Sequence, residues 1–242
     1  AAGQGAGDQS AQLARRHPAG DVHLLQQIAD VDQGRVQHAA GPGTLEEPPR
    51  SQLKHVAYRL LELQVGFLEA GRPVGAGHLG LQWHPAYPDS RAVNWGGYGA
   101  DGTELGGSLS PLPSALGNAN TRDYAWETGV SYRFGISPAP DRPGSWRGTV
   151  TNLASGRVTN VRDLHTTGSR LSGPMVWTEA FCRCDDPPVV ARWSGFAARR
   201  DGEPIPVGAV RVSYQSYAHG GCTNTTVRRD GDKLEMDFPA RP

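Results

Sequence analysis

The chain has 242 residues, with 24 Lys or Arg against 24 Asp or Glu, so its formal net charge is zero. A neutral chain has no overall field that favours nucleic acid or anionic lipid, and we therefore predict no nucleic-acid partner. No apolar run approaches the ~20 residues that a membrane span requires, so we predict no membrane span. Gly and Pro, at 32 and 19 residues, favour turns and short strands over long helices.

Residues 1–50 have the composition of a disordered leader. They contain no Phe, Tyr or Trp, and too few large aliphatic residues to offset the entropy of ordering the segment. A short amphipathic helix over Asp21–Gln37 is the alternative, because apolar residues recur there at three-residue spacing. A further alternative is that the stretch up to about Gly75 is not native sequence, since a GC-rich gene read in the wrong frame yields residues of this composition.

Residues 51–75 predict a helix followed by a linker. An apolar stripe at helical spacing runs through Ser51–Ala70 and consists of Leu53, Val56, Leu60, Leu63 and Phe67. Gly71-Arg72-Pro73 then ends the helix. We expect this helix to pack on the sheet that follows.

From residue 76 to the C-terminus the apolar period changes to two, which predicts strands. In Val130–Ile136, for example, apolar residues alternate with small or polar ones, so that one face of the strand is buried. The other predicted strands are His78–Trp83, Ala92–Tyr98, Ser145–Leu153, Arg157–His165, Met175–Cys184, Val189–Phe196, Val210–Tyr214 and Lys233–Phe238. Short strands separated by turns predict an all-β fold over residues 76–242, an antiparallel β-sandwich or jelly roll of the concanavalin-like kind.

The three cysteines are Cys182, Cys184 and Cys222. Cys182 and Cys184 lie two apart in a predicted strand, so their side chains share a face and a disulfide between them is awkward. Either one paired with Cys222 would join two β elements and indicate an oxidising compartment. The alternatives are three reduced, buried thiols, or a zinc site completed by His219.

Glu179 is a catalytic candidate, because it lies on the apolar face of its strand, between Trp177 and Phe181. With Asp185 or Asp186 it would form a carboxyl pair for glycoside chemistry. A salt bridge or a solvated face explains the same residue without catalysis. The Asp185-Asp186 turn would also suit a structural calcium ion, although hydrogen bonds within a polar turn account for it as well, and no other cofactor is predicted.

His165 is a second catalytic candidate, since it shares a strand face with Asp163. No Ser or Cys lies in a nucleophile-elbow sequence such as G-x-S-x-G, so a catalytic triad has no nucleophile here. Exposed polar positions on a strand explain both residues without catalysis.

A loop-rich stretch mixes aromatic rings with amides and charged groups. Its members are Trp95, Tyr98, Asn118, Asn120, Arg122, Asp123, Tyr124 and Trp126. Carbohydrate sites use this chemistry, with a flat ring against the sugar and polar groups that bind its hydroxyls. The alternative is that Trp95 and Trp126 fill the core, as large aromatic residues usually do, and that the Asn residues build turns.

Three segments of the chain resemble a bacterial family of unknown function. They are His78-Leu79-Gly80-Leu81-Gln82, Val93-Asn94-Trp95, and the spaced set Trp126, Gly129, Tyr132 and Phe134. In that family a YFGIQ-like strand precedes a W-x-x-G-x-x-Y-x-F strand, and the resemblance covers residues from about 76 to 215. It implies a secreted β-sandwich domain of the sort found beside carbohydrate-binding modules. The loop at 116–123 departs from the acidic, Gly-rich loop of many members, and no catalytic residue is carried over.

Together these patterns predict a secreted β-sandwich that binds carbohydrate or a cell-wall glycan. The first alternative is a glycoside hydrolase or polysaccharide lyase that uses Glu179 with Asp185 or His165. The second is a structural domain without a small ligand. The patterns leave the oligomeric state open.

Overall fold

The computed structural model describes residues 24–32, 58–181, 184, 189–206, 211–219, 221–223, 225–230 and 233–238. Within these ranges the chain forms thirteen strands and two three-residue 3-10 helices, Pro88–Ser90 and Tyr217–His219. Neither of these helices is long and apolar enough to cross a membrane. The strands are β1 (Leu24–Asp32), β2 (Tyr58–Glu69), β3 (Arg72–Trp83), β4 (Arg91–Gly99), β5 (Thr121–Asp123), β6 (Ser131–Pro138), β7 (Ser145–Asn152), β8 (Val158–His165), β9 (Arg170–Phe181), β10 (Val189–Arg200), β11 (Glu203–Ile205), β12 (Thr226–Asp230) and β13 (Lys233–Phe238).

These strands form two sheets in which every pairing is antiparallel. The small sheet has five strands in the order β5-β4-β3-β2-β9. The large sheet has eight, in the order β12-β13-β10-β1-β6-β7-β8 with β11 paired to β10. The predicted all-β, antiparallel sandwich is therefore confirmed.

The core lies between the sheets and follows the two-residue alternation of their strands. The small sheet contributes Leu61, Leu63, Val65, Phe67, Leu79, Leu81, Val93 and Trp95, and the large sheet contributes Tyr132, Phe134, Ile136, Trp146, Val150, Val161, Leu164 and Trp193. The rings of Phe67 and Trp146 stack across the interface with their centroids 6.4 Å apart. Because core residues occupy alternate positions, the positions between them on the small sheet point away from the large sheet. We call that side of the small sheet the outer face.

The helix predicted over Ser51–Ala70 is wrong for the residues that the structure describes, because β2 occupies Tyr58–Glu69 between β3 and β9. Leu60 is buried on the outer face, while Leu61 and Leu63 are buried in the core. Apolar residues on both faces of a strand hide its two-residue period and leave a stripe that also fits a helix. The sandwich therefore begins before the predicted boundary at residue 76.

A strand also lies within the predicted leader. β1 pairs with β10 on one side and β6 on the other, so the helix alternative over Asp21–Gln37 is wrong for Leu24–Asp32. Its partners are distant in sequence, and no local pattern indicates such a pairing. The remainder of residues 1–57 lies outside the described ranges, and the disordered leader and the non-native stretch stay predictions there.

One predicted strand of the β half is wrong. Residues 211–214 form no strand, and Val212 and Tyr214 are 40% and 54% exposed. Val210 lies outside the described ranges. Alternation shows that a strand would have an apolar face, but it does not show that a neighbouring strand is available to satisfy the backbone hydrogen bonds.

Cys184 is bonded to Cys222, which is one of the pairings that the sequence left open. The disulfide joins the segment after β9 to the loop before β12. Because both sulfur atoms are in the disulfide, the zinc alternative that used these two thiolates is wrong. Cys182 lies outside the described ranges.

Gly148 of β7 marks a place where the core has no room for a side chain. A Cβ atom there would lie 2.7 Å from Cγ of Trp95, whose ring is fully buried. The Trp95 indole N–H donates to the carbonyl oxygen of Trp146 at 2.9 Å, so the ring cannot move aside without losing that bond. The two sheets can therefore pack this closely at Trp95 because residue 148 is a glycine.

We predict that Gly148→Ala lowers the free energy of unfolding by about 1–3 kcal/mol, the usual cost of overpacking a core. The matched control is Gly106→Ala, where a Cβ atom meets nothing within 4 Å, and its change should stay within about 0.5 kcal/mol. Urea denaturation midpoints measure both. Equal midpoints for the two variants would contradict the packing described here.

Candidate active site

Buried polar residues gather on the outer face of the small sheet. Glu62, Gln82, Asn94 and Thr121 are all buried. The strand register places Trp177, Glu62, Gly80, Asn94 and Thr121 in one row across β9, β2, β3, β4 and β5. Buried polar groups need hydrogen-bond partners, so this row has to form a connected network.

Glu62 is the centre of that network, and it is only 1% exposed. Its Oε1 accepts a hydrogen bond from Nε2 of Gln82 at 2.7 Å, and its Oε2 is bonded to Nδ1 of His78. His78 and Gln82 flank Gly80 on β3, and a Cβ atom on Gly80 would lie 2.6 Å from Cγ of Glu62. The missing side chain of Gly80 therefore gives the carboxylate its place between two partners.

His78 forms an ion pair with Glu62 when its ring is protonated. Burial acts to lower the pKa of His78, but the charge of Glu62 and the hydrogen bond to it outweigh burial, so the pKa is raised above its ordinary value. The His78 side chain remains 29% exposed. Because Nδ1 is bonded to Glu62, the other ring nitrogen, Nε2, is the one that can reach a molecule lying on the outer face.

Asn94 supports His78 from the neighbouring strand. Its Nδ2 donates to the carbonyl oxygen of His78 at 3.2 Å, and its Oδ1 accepts from the hydroxyl of Thr121 at 3.1 Å. The side-chain amides of Asn94 and Gln82 are thus both used within the network.

Glu179 lies beside Glu62 on the outer face. It is opposite Leu60 in the β2–β9 register, while Glu62 is opposite Trp177, so the two glutamates are diagonal neighbours. Burial raises the pKa of Glu179, and the charge of Glu62 raises it further. The site therefore holds two acid–base groups, His78 and Glu179, whose pKa values are both raised.

Aromatic rings lie at the end of the outer face nearest Glu179. We call Tyr58, His84, Tyr87 and Phe181 the aromatic rim. Tyr58 stacks on Phe181 with ring centroids 5.6 Å apart and meets His84 edge-on at 5.5 Å. The Tyr87 hydroxyl donates to Oε1 of Gln82 at 2.9 Å, which connects the rim to the Glu62 network. Burial raises the pKa of the Tyr58 hydroxyl, and its hydrogen bond with Tyr87 adds to that rise, so it stays protonated.

The tryptophans of the predicted carbohydrate cluster do not face a ligand. Trp95 and Trp126 are 0% and 1% exposed, and both are core residues. The indole of Trp126 donates to the carbonyl oxygen of Gln82 at 3.0 Å. Their predicted role in stacking against a sugar is therefore wrong, because a ring sealed between two sheets offers no face to solvent.

The other members of that cluster are divided between two sides of the small sheet. Tyr98 lies on the outer face and is 55% exposed, and Asp123 lies opposite Ala92 at the β5 edge of the same face. Arg122 lies opposite the core residue Val93 and so belongs to the inner side. Asn118 and Asn120 come just before β5, where Asn118 Oδ1 accepts from the backbone N–H of Asn120 at 2.7 Å.

The structure separates Glu179 from one of its predicted partners, His165. His165 is on β8 of the large sheet, where its Nδ1 is bonded to the hydroxyl of Ser145 at 2.9 Å. Asp163 accepts from Nε and Nη2 of Arg147 at 2.8 and 2.9 Å. The combination of Glu179 with His165 is therefore wrong, because the two residues belong to different sheets. Asp185 and Asp186 lie outside the described ranges, and the calcium site predicted on them stays a prediction.

The central residues of the site, Glu62, His78 and Gln82, were not predicted from the sequence. The signal that existed was weak: His78 and Gln82 occupy the outward positions of a strand whose inward positions are apolar. Glu62 lies in an apolar run that predicts a helix, and a helix gives no reason to place it beside His78 and Gln82.

Among the described residues, no group of three or more His, Cys, Asp or Glu is arranged to hold a metal ion.

The similarity of this chain to known proteins is found in structure and not in sequence. No family model matches the chain, and no curated protein matches it. Scytalido-glutamic peptidase with a transition state analogue inhibitor is similar in structure, at a TM-score of 0.45 and 11% identity, with 90% of this chain and 93% of that one covered. Aspergilloglutamic peptidase from Aspergillus niger gives a TM-score of 0.43 at 13% identity, covering 73% and 97%. SCP-B, of the eqolisin family, gives 0.41 at 11%, covering 90% and 92%.

We predict that Glu62→Gln lowers the pKa of His78. The substitution removes the charge that raises this pKa and leaves burial, which lowers it. NMR titration of the His78 ring protons measures the change, with Glu69→Gln, an exposed glutamate on the same strand, as the control. An unchanged His78 titration in Glu62→Gln would contradict the ion pair.

The same ion pair predicts how stability depends on pH. A raised pKa in the folded state means that the pair stabilises the fold at pH values below the unfolded histidine pKa of about 6.5. That stabilisation is lost as the pH rises through the folded pKa of His78. Urea denaturation across this range should show the loss in the native protein and not in Glu62→Gln.

Proposed function

We propose that the protein is a hydrolase that cleaves glycosidic bonds on the outer face of the small sheet. The observation that carries this proposal is the placement of His78 and Glu179 on one face, each with a raised pKa, around the buried carboxylate of Glu62. Acid–base catalysis is efficient when the pKa values of its groups lie near the working pH, and both shifts are in that direction.

The ordinary chemistry of the two side chains assigns the roles, because a carboxyl group normally loses its proton at a lower pH than an imidazolium group. Glu179 then acts as the general base that takes a proton from the attacking water, and Nε2 of His78 acts as the general acid that protonates the leaving oxygen. Glu62 is buried, so it does not itself contact a substrate on the outer face. It is a positioning residue that orients the imidazole through Nδ1 and stabilises its charge.

The surroundings favour a glycosidic bond over a peptide bond. Glycoside hydrolysis needs an acid and a base on either side of the scissile bond, and His78 and Glu179 share one face of the small sheet. Half-buried Trp177 and the aromatic rim add ring surfaces of the kind that stack on sugars.

A location outside the cytoplasm fits this proposal. The disulfide between Cys184 and Cys222 is of a kind that persists in oxidising compartments, where polysaccharides are met. The resemblance to a secreted bacterial family stays a prediction, and it agrees with the same location.

We predict that Glu179→Gln lowers kcat/KM by about 10²- to 10⁴-fold, the usual contribution of one acid–base group. A reducing-end assay on a panel of polysaccharides measures the change, and Glu69→Gln should leave activity unaltered. Denatured protein is included in the panel. Cleavage of protein instead of glycan, or full activity in Glu179→Gln, would overturn the proposal.

The pH profile of kcat/KM tests the assignment of roles. Activity should rise as Glu179 ionises, at a pH above the ordinary value of 4.5, and fall as His78 loses its proton, at a pH above 6.5. In Glu62→Gln the alkaline limb should move to lower pH, because the pKa of His78 falls. A profile with no alkaline limb would exclude His78 as the acid.

A further inference from the structure

A pocket of about 410 Å³ opens beside the β5 edge of the small sheet. It is bounded by two parts of the connection between β4 and β5, which include Glu104 and Leu105 on one part and Asn118, Ala119 and Asn120 on the other. Arg162 of β8 completes it. None of the groups assigned to acid–base chemistry lines this pocket, so it is a separate feature of the molecule.

Arg162 is a buried cation whose hydrogen bonds go to neutral acceptors. It is 4% exposed, and its Nη1 donates to two neutral acceptors, the carbonyl oxygen of Ala119 at 2.8 Å and Oδ1 of Asn120 at 2.6 Å. Its Nε is buried and has no hydrogen-bond partner. No carboxylate among the described residues forms an ion pair with it. A buried charge in this condition is costly, because neutral acceptors only partly replace the water it has lost.

Arg122 adds to the positive charge at this place. Its Nε is also buried without a hydrogen-bond partner. Burial lowers the pKa of Arg162, and the charge of Arg122 lowers it further, while the charge of Glu104 opposes both. Glu104 is exposed and accepts a hydrogen bond from Nδ2 of Asn120. Two guanidinium groups against one solvated carboxylate leave the pocket positive.

The pocket adjoins the outer face through Asn120. A Cβ atom on Gly96 would lie 2.8 Å from Cβ of Asn120, so the Asn120 side chain rests directly on Gly96. Gly96 is paired with His78 across β4 and β3. Neighbouring strands lie about 4.8 Å apart, so an extended ligand that reaches His78 can also reach the pocket one or two strand spacings away.

We propose that this pocket binds the carboxylate of an acidic polysaccharide, so that the substrate is a glycan with uronate residues. The inference rests on the proposed function for the choice of a glycan. A guanidinium group attracts a carboxylate, and the ligand would add negative charge to a pocket in which Glu104 is the one carboxylate among the lining residues.

The test compares trigalacturonic acid with its carboxyl-reduced trisaccharide, titrated calorimetrically into the full chain. The acidic ligand should bind at least about tenfold more tightly than the neutral one. Ala119→Asp places a negative charge next to Arg162 and should abolish that preference. Ala119→Asn, which has the same shape without the charge, should keep it. Circular dichroism and thermal melting check that both variants fold.

A substitution with the opposite expected effect makes the test sharper. Glu104→Gln removes the carboxylate that repels an anion, so the acidic ligand should bind several-fold more tightly while binding of the neutral ligand stays unchanged.

Equal binding of the two ligands, or no response to Ala119→Asp, would overturn the pocket assignment even if the hydrolase activity is found. If an acidic peptide binds and its binding is lost in Ala119→Asp, while the uronate does not bind, the assignment of a glycan as the ligand is overturned. Selective binding of the uronate with no turnover of any glycan would support the pocket and overturn the proposed function.

Discussion

A carboxylate buried against a β-sheet has to be compensated where it lies, because an unpaired buried charge costs several kcal/mol. Glu62 meets this requirement with His78 on one oxygen and Gln82 on the other. Gly80 between them has no side chain, and so leaves the space in which the carboxylate lies. The raised pKa of His78 follows from the same pairing. Asn94 bonds to His78 and Tyr87 bonds to Gln82, so the positions of these two residues depend on the same pairing.

The small sheet serves two purposes because its strands have two faces. Its inner face carries the apolar residues that pack against the large sheet, and Trp95 is sealed there. Its outer face carries the polar network and both acid–base groups. The core directly behind this face holds the strand register, which places Glu179 and His78 on their strands. Packing on one face thus fixes the positions of the polar groups on the other.

The buried charges of the outer face and of the adjoining pocket are compensated in different ways. At Glu62 the protein itself supplies the opposite charge. At Arg162, among the residues described, it supplies only neutral acceptors. Removing one partner from the first arrangement would leave a buried charge unpaired, whereas in the second the cation already lacks a close carboxylate. A native structure that leaves a buried polar group undercompensated often does so at a functional position.

Local patterns predicted the class of fold and little of the site. The alternation in Val130–Ile136 predicted β6, because side-chain alternation is a property of the strand alone. The same reasoning found Glu179 on an apolar strand face, but it missed Glu62, since the residues around Glu62 are apolar on both sides of β2. The sequence by itself therefore determined that the chain forms antiparallel sheets with one buried face. Only the tertiary structure decided which strands are neighbours, and hence that Glu62, His78 and Glu179 share one face of the small sheet, because strand pairing joins residues far apart in the chain and no local pattern records its register.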